Sequence, residues 1–209
     1  MFLSYLFLAA VLVLVFWMKS QYPKWRGRAG ENFVSRKLSR LDPEHFNVID
    51  NLLLPSTGNT VTTQLDHVVV SDYGIFCVET KSYDGWIFGS ANQRYWTQQI
   101  YRHKERFYNP LYQNFAHRKA VEALVKPIYP AVPVVGFVAF PYAGKLKISG
   151  TDCVGYARDV VSKISEYTRP VISAADRARI CEVLARANIQ DKESLRLHNQ
   201  EIRELTKAR

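Results

Sequence analysis

Cysteine is scarce in this chain, and the three that occur, Cys77, Cys153 and Cys181, stand far apart. None of them belongs to a Cys-x-x-Cys pair, so the spacing suggests neither a zinc ribbon nor a disulfide framework. An odd number of scattered cysteines is typical of a protein in a reducing compartment.

Hydrophobic residues, by contrast, are not lacking. They make up 47% of the 209 residues, against 22% charged residues, which excludes disorder of the whole chain. The length suits one core domain with appendages. The sequence contains no internal repeat and no low-complexity segment.

Negative charge is nearly missing from two stretches of this basic chain, whose net charge is +9. Residues 19–40 carry seven Lys or Arg and one acid, and residues 94–119 carry six and one. Residues 42–91 reverse the sign, with seven acids and a single Lys. An acidic pocket between basic flanks suits a polyanion bound near a metal. A basic surface that faces anionic lipid explains the same charges.

The N-terminus lacks a basic residue ahead of its apolar run, residues 2–18, and the run ends without a small-x-small cleavage site. These features argue against a cleaved signal peptide. Seventeen helical residues span about 25 Å, enough to cross a bilayer. Lys19, Lys24, Arg26 and Arg28 follow the run, so we predict an anchor with the domain on the cytoplasmic side.

The remaining patterns predict an α/β domain. Val34, Leu38 and Leu41 have helical spacing, and Glu31 falls on the same stripe. A carboxylate there is either functional or simply favoured near a helix N-terminus. We predict a transmembrane anchor at 1–19, a linker at 20–27, a nuclease-like domain at 28–150 and a helical extension at 151–209. Predicted helices cover 28–41, 111–125, 156–167 and 173–188, and predicted strands cover 46–54, 62–70, 74–81, 86–88, 95–101 and 132–140.

The strands at 62–70 and 74–81 form the most informative pattern. A turn centred on residues 72 and 73 would place Asp66 opposite Glu79, with Cβ atoms roughly 5 Å apart. Like charges so placed destabilise a sheet unless a cation lies between them. Lys81 points to the same side as Glu79, and the carbonyl of Thr80 lies nearby. Mg²⁺ prefers such oxygen ligands, so we predict a metal site at Asp66, Glu79 and Thr80.

This set of residues predicts phosphodiester chemistry. A metal would polarise a phosphate oxygen and help to activate water, while Lys81 would orient that water or balance the developing charge. Glu31 would act from the helix as an outer ligand. The alternative interpretation is a surface hairpin in which Glu79 and Lys81 form an ordinary ion pair.

A basic ridge at Arg102, Lys104 and Arg106 is a candidate nucleic-acid-binding surface, because these side chains alternate along one strand face. A charge-protected sheet edge explains the ridge equally well. We expect Trp86 and Trp96 to serve core or rim packing. We expect His67 to be a buried, hydrogen-bonded residue on the face opposite Asp66.

Five ordered sequence blocks resemble the nuclease-related domain (NERD) family, which is placed in the PD-(D/E)xK nuclease superfamily. They lie within residues 28–140 and consist of Gly30-Glu31, residues 64–70, residues 74–81, residues 85–89 and residues 109–114 followed by His117. Leu65 stands where the superfamily motif has proline, a departure that is common in divergent members.

The resemblance implies a restriction-endonuclease-like α/β core with a mixed sheet flanked by helices. It implies Mg²⁺ as the cofactor, with Mn²⁺ as an alternative ion. By this resemblance, Asp66 and Glu79 match the metal carboxylates and Lys81 the motif lysine. Glu31 matches the helix-borne acid and Gln113 a polar position beside the site.

The expected function is therefore a membrane-anchored, metal-dependent nuclease that hydrolyses phosphodiester bonds, in DNA by preference. Its partners would be nucleic acid and, through residues 2–18, the inner (cytoplasmic) membrane. The alternative is a non-catalytic module that binds nucleic acid or protein. The sequence does not fix the oligomeric state.

Overall fold

The computed structural model describes Tyr5, residues 24–58 and residues 60–207. The predicted anchor, apart from Tyr5, lies outside these residues. In the part of the chain that is described, no helix is both long enough and apolar enough to cross a membrane.

The described residues form two mixed sheets and five helices, which fits a nuclease-like core. The first helix, α1, occupies residues 24–38. The other elements are β1 Phe46–Pro55, β2 Thr62–Ser71, β3 Gly74–Thr80, β4 Trp86–Ser90, β5 Tyr95–Ile100, β6 His103–Tyr108, α2 Pro110–Val125, β7 Val134–Ala139, β8 Lys145–Ser149, β9 Val154–Gly155, α3 Ala157–Ser165, α4 Ala174–Ala187 and α5 Lys192–Lys207.

The larger sheet has the strand order β1-β2-β3-β7-β9. Strands β1, β2 and β3 form an antiparallel meander, whereas β7 joins β3 in parallel and β9 joins β7 in parallel. Helices α2 and α4 pack on one face through a cluster that includes Val121 and Leu184. Helices α1 and α3 cover the other face through Val34, Leu38 and Ile164. The mixed sheet flanked by helices is thus confirmed.

The smaller sheet has the order β6-β5-β4-β8 and packs one face on the larger unit. Its inward residues Ile87 and Trp96 are fully buried in a cluster with Val138 and Phe140. Trp96 therefore serves core packing, as expected. Strands β8 and β9 and the existence of a separate sheet were not predicted, because parallel pairing between distant segments leaves no local sequence signal.

Helix α1 was predicted over residues 28–41 and is observed over 24–38, and the C-terminal tail makes a buried contact that was not predicted. Residues 24–27, assigned to a linker, are already helical, and Arg26 forms an ion pair with Asp84 and lies over the Tyr142 ring. The tail, predicted as part of the helical extension, forms α5, whose His198 is 6% exposed and hydrogen-bonds Thr62 Oγ1 at 3.0 Å. The contacts of Arg26 and His198 join segments far apart in the chain, which periodicity alone could not reveal.

The predicted hairpin is confirmed, since Val70 pairs with Ile75 and His67 with Val78. The paired register ends at His67 and Val78, so it does not include the predicted pair of Asp66 and Glu79, and regular alternation breaks at this point of β2. Ile49 and Leu52 both face the α2 side, as do their partners Val68 and Leu65. Asn51, with a φ of 59°, lies at this break, in the left-handed region that Asn tolerates better than most residues. The irregularity falls at Asp66, at the edge of the site.

Asn114 joins α2 to the sheet from a buried position. Its Nδ2 donates to the carbonyl oxygens of Cys77 on β3, at 3.0 Å, and Phe137 on β7, at 3.1 Å. A Cβ on Gly136 would lie 1.8 Å from Asn114 Oδ1, so glycine is required for this approach. The amide therefore links the helix to both parallel strands beneath the site.

Replacing Asn114 by alanine should lower the free energy of unfolding by about 1–3 kcal/mol, because two buried carbonyl groups lose their side-chain donor. Denaturant unfolding would measure the change. Phe115→Ala is the matched control, since Phe115 is the next residue and is 53% exposed. Equal effects of the two substitutions would contradict the assignment.

Candidate active site

Two carboxylates meet where β2 and β3 approach the N-terminal part of α2. Glu79 is 2% exposed, and Asp66 is half-buried. The backbone amide of Thr80 donates to Asp66 Oδ2 at 2.7 Å, which fixes that carboxylate. Burial raises the pKa of Asp66 well above its usual 3.8, and the charges of Glu79 and Glu31 raise it further. The hydrogen bond from the Thr80 amide and the charge of Lys81 act in the opposite direction and lower this pKa. Without a cation, the two acids therefore repel one another, as the sequence predicted.

Lys81 lies between two oxygen acceptors. Its Nζ is 2.7 Å from Glu79 Oε1 and donates to Gln113 Oε1 at 2.8 Å. Burial acts to lower the pKa of Lys81, but the charge and hydrogen bond of Glu79, together with the charges of Tyr83 and Asp66, outweigh burial, and the pKa stands above its usual 10.5. The side chain is therefore an ammonium ion at neutral pH, held in place from two sides.

Helix α2 brings its polar residues to this point because of how it begins. Asn109 caps the helix by accepting from the Leu111 amide at 2.9 Å, and Pro110 occupies the first turn. The Asn109 amide also donates to the carbonyls of Ala91 and Gln93, which ties the helix start to the β4–β5 turn. Gln113 follows one turn later and reaches Lys81.

His117, one further turn along α2, contacts the site from beneath. Its Nδ1 lies 3.3 Å from Glu79 Oε2, and both side chains are buried. Burial lowers the pKa of His117, with the Glu79 charge opposing the shift, so the ring is neutral at neutral pH. The sequence analysis did not assign His117 to the site, although its i, i+4 spacing from Gln113 was a usable signal.

The sites predicted in the meander converge, whereas the basic ridge lies elsewhere. Glu31 on α1 is close enough to affect Asp66 electrostatically. Thr80 and Lys81 line a cleft, whose other lining residues are Arg26, Gly27, Ser82, Tyr83, Asp84, Gln98, Ile100 and Glu105. Lys104 and Arg106 lie on the face of β6 opposite Glu105, and Glu105 is the residue of this strand that lines the cleft. Arg102 lies in the preceding turn.

Two other residues, His67 and Trp86, can be compared with their predicted positions. His67 is 2% exposed and hydrogen-bonds Asp50 Oδ1 at 2.7 Å and Thr80 Oγ1 at 3.1 Å, as expected of a buried histidine opposite the site. Trp86 is 46% exposed on the outer side of the smaller sheet, so it contributes less to packing than expected.

The donor set fits a divalent cation. Glu79 Oε2 is buried and forms no hydrogen bond with any residue that the structure describes, although His117 Nδ1 lies 3.3 Å away. Such an orphaned carboxylate oxygen beside a second carboxylate offers the hard oxygen ligands that Mg²⁺ and Mn²⁺ prefer. Asp42, Glu44 and His45 form a separate cluster at the surface, where His45 Nδ1 is already 2.8 Å from Asp72 Oδ2.

Comparison with known proteins agrees with this geometry. A family model described as the nuclease-related domain matches residues 26–141. An uncharacterized protein of Bacillus anthracis is 38% identical over 195 residues, which cover 92% of each chain. No solved structure matches the chain. The matched span contains the meander, the cleft and the start of α2, and the chain belongs to the nuclease-related domain family.

Proposed function

We propose that this protein is a Mg²⁺-dependent nuclease that hydrolyses phosphodiester bonds in DNA. Its family suggests a nuclease-related function, nucleic-acid binding and a divalent metal. The observation that carries the proposal is the convergence of Asp66, Glu79 and Lys81, with the buried Glu79 Oε2 lacking a hydrogen-bond donor among the described residues.

Asp66 and Glu79 would hold the cation. When bound, Mg²⁺ supplies electrophilic stabilisation of the phosphate and a lower pKa for a coordinated water. The Thr80 amide occupies one Asp66 oxygen, Oδ2, and so turns the carboxylate in a fixed direction. The Thr80 carbonyl remains a candidate third ligand.

Lys81 acts as a fixed positive charge. Its raised pKa keeps it protonated at neutral pH in the metal-free site, so its proposed role is to stabilise negative charge that develops on the phosphate. Gln113 keeps the ammonium in position through its 2.8 Å hydrogen bond. Glu31, facing the carboxylates from α1, orients water at the edge of the site.

The protein would work at the inner (cytoplasmic) membrane, with the domain in the cytoplasm. Residues 2–18 support this proposal because they are apolar apart from Ser4 and the Tyr5 hydroxyl. The Lys and Arg residues that follow favour a cytoplasmic position of the domain.

The first test is a cleavage assay on the full chain in detergent. Labelled linear, circular and single-stranded DNA would be incubated with Mg²⁺, Mn²⁺ or EDTA. We expect cleavage that depends on metal and that disappears in Asp66→Ala, since this change removes a ligand carboxylate. The cleaved substrate would then distinguish an endonuclease from an exonuclease.

Asp152→Ala is the control, because Asp152 is an exposed carboxylate outside the cleft. Folded protein that cleaves neither DNA nor RNA with any metal would refute the nuclease proposal. A non-catalytic binding module on the same fold would then be the better description.

A further inference from the structure

The outer face of the smaller sheet, turned away from the buried cluster of Ile87 and Trp96, carries an unusual combination of side chains. Strand alternation and register decide which residues share it. Trp86 pairs with Lys145 and Gln99, and Phe88 pairs with Lys147 and Thr97. The outer face consists of Trp86, Phe88, Tyr95, Thr97, Gln99, Lys104, Arg106, Tyr108, Lys145 and Lys147.

Aromatic rings and cations alternate across this face. Lys145 and Lys147 Nζ lie 5.4 and 4.9 Å from the Trp86 ring centroid. The Arg106 guanidinium lies 4.9 Å from the Tyr95 ring centroid. Trp86 is nevertheless 46% exposed, although an indole gains more than most side chains from burial. A large aromatic residue on a solvent-exposed sheet face, surrounded by other rings and cations, is the kind of patch that marks a binding site.

The outer face is positive throughout. It carries four cations, Lys104, Arg106, Lys145 and Lys147, and none of its ten residues is acidic. Glu105, the acid of β6, points to the opposite side and lines the cleft. The two sides of β6 thus differ in charge, since Glu105 lines the cleft that Lys81 also lines and Lys104 and Arg106 point outward.

We propose that the outer face binds single-stranded nucleic acid, with the cations on the phosphates and the rings of Trp86 and Tyr95 against the bases. Exposed aromatic residues between cations on a sheet are the arrangement that stacks unpaired bases. A duplex hides its base faces and would use the cations alone. The inference rests on the proposed function, because it specifies which nucleic acid the same protein takes.

The face is continuous with the cleft around the β5–β6 turn. Tyr101, at the tip, is 94% exposed and has a φ of 53°, while Ile100 lines the cleft and is 39% exposed. A strand that leaves the outer face at Lys104 would pass Arg102 and this turn to reach Lys81. Anionic lipid would also be attracted by the cations, but it has no need of planar rings between them.

The test is fluorescence anisotropy of labelled oligothymidylate and of a matched duplex, with the full chain in detergent and EDTA. Trp86→Ala should weaken oligothymidylate binding about tenfold, the size of one lost base stack. It should leave duplex binding unchanged, and Trp86→Phe should restore most of the affinity. Lys147→Glu should weaken binding to both nucleic acids. For the single strand it should also reduce the slope of log K against log salt concentration by about 0.7.

Matched controls come from other surfaces of the chain. Phe115→Ala removes an exposed ring with a cation above it, since Lys119 Nζ lies 5.5 Å from the Phe115 centroid on α2. Lys192→Glu makes the same charge change at the start of α5, which packs on β2. Both should bind oligothymidylate as the unchanged chain does.

Several results would overturn the inference. They are no oligothymidylate binding by the unchanged chain, equal binding by the outer-face variants and the controls, or an equal loss on the duplex in Trp86→Ala. A further such result concerns binding to phosphatidylglycerol vesicles in excess of binding to phosphatidylcholine vesicles. If Lys147→Glu abolished this excess and left oligothymidylate binding intact, the face would be assigned to lipid. Cleavage in Mg²⁺ is scored separately, so binding through the outer face without cleavage would refute the nuclease and uphold the inference.

Discussion

Replacing Lys81 by methionine should reduce metal-dependent DNA cleavage by about 10²–10³-fold, the usual effect of losing one positioned charge-stabilising group. Methionine keeps much of the length and apolar stem but removes the ammonium that lies 2.7 Å from Glu79 and 2.8 Å from Gln113. Because the charge acts on the transition state, the loss should appear in kcat with little change in KM.

Single-turnover cleavage at saturating Mg²⁺ would measure the effect. Lys119→Met is the control, because Lys119 is an exposed lysine on α2 that pairs with Glu122 instead of the site. Circular dichroism would confirm that the variant folds, since Glu79 loses a buried partner. A Lys81→Met enzyme that cleaves at the normal rate would remove Lys81 from the mechanism.

Replacing Asp66 by asparagine should have opposite effects on stability and on function. Burial and Glu79 raise the pKa of Asp66, so the folded state retains its proton over a pH range in which the unfolded chain has lost it. The folded metal-free protein therefore loses stability as the pH rises from about 3.8 through the raised pKa. The asparagine side chain cannot ionise, and it keeps an oxygen for the Thr80 amide.

In EDTA at neutral pH, Asp66→Asn should therefore raise Tm, by about 2–4 °C for each kcal/mol of penalty removed. Mg²⁺ or Mn²⁺ should raise the Tm of the unchanged protein by mass action and should fail to do so in the variant. Cleavage should be lost.

Differential scanning calorimetry across pH, with and without metal, would measure these shifts. Asp152→Asn changes an exposed carboxylate in the same way and should alter neither the stability nor the metal response. A lower Tm for Asp66→Asn in EDTA would mean that the Asp66 carboxylate stabilises the metal-free fold, which would contradict the repulsion between Asp66 and Glu79.

The opposite signs of these effects separate a functional site from a structural one. Removing one partner of a buried structural ion pair lowers the stability of the folded protein. Asp66 and Glu79 instead carry like charges on neighbouring strands. Such a pair destabilises a sheet, and a sheet that bound no ligand would have no reason to keep it. Stability lost to such a site in the metal-free state is the usual consequence of function.

On the outer face, the local pattern of side chains was predicted correctly, but the direction in which the face points was not. Alternation correctly placed Lys104 and Arg106 on one strand face. It could not tell that this face turns away from the cleft, or that Lys145 and Lys147 extend it, because β8 joins β4 in parallel from more than fifty residues away. The candidate nucleic-acid surface is therefore larger than the predicted ridge, and it includes Trp86.

The sequence by itself determined the β2–β3 hairpin, its register and the buried stripe of α1, because turn chemistry and the periods of strand and helix are local properties. Those local rules placed Asp66, Glu79 and Lys81 together. Tertiary structure alone decided that α2 would set Gln113 and His117 against them, since this requires the parallel pairing of β3 with β7 and the fit of Asn114 over Gly136. Contacts between segments so far apart depend on packing and loop closure, which no short sequence window encodes.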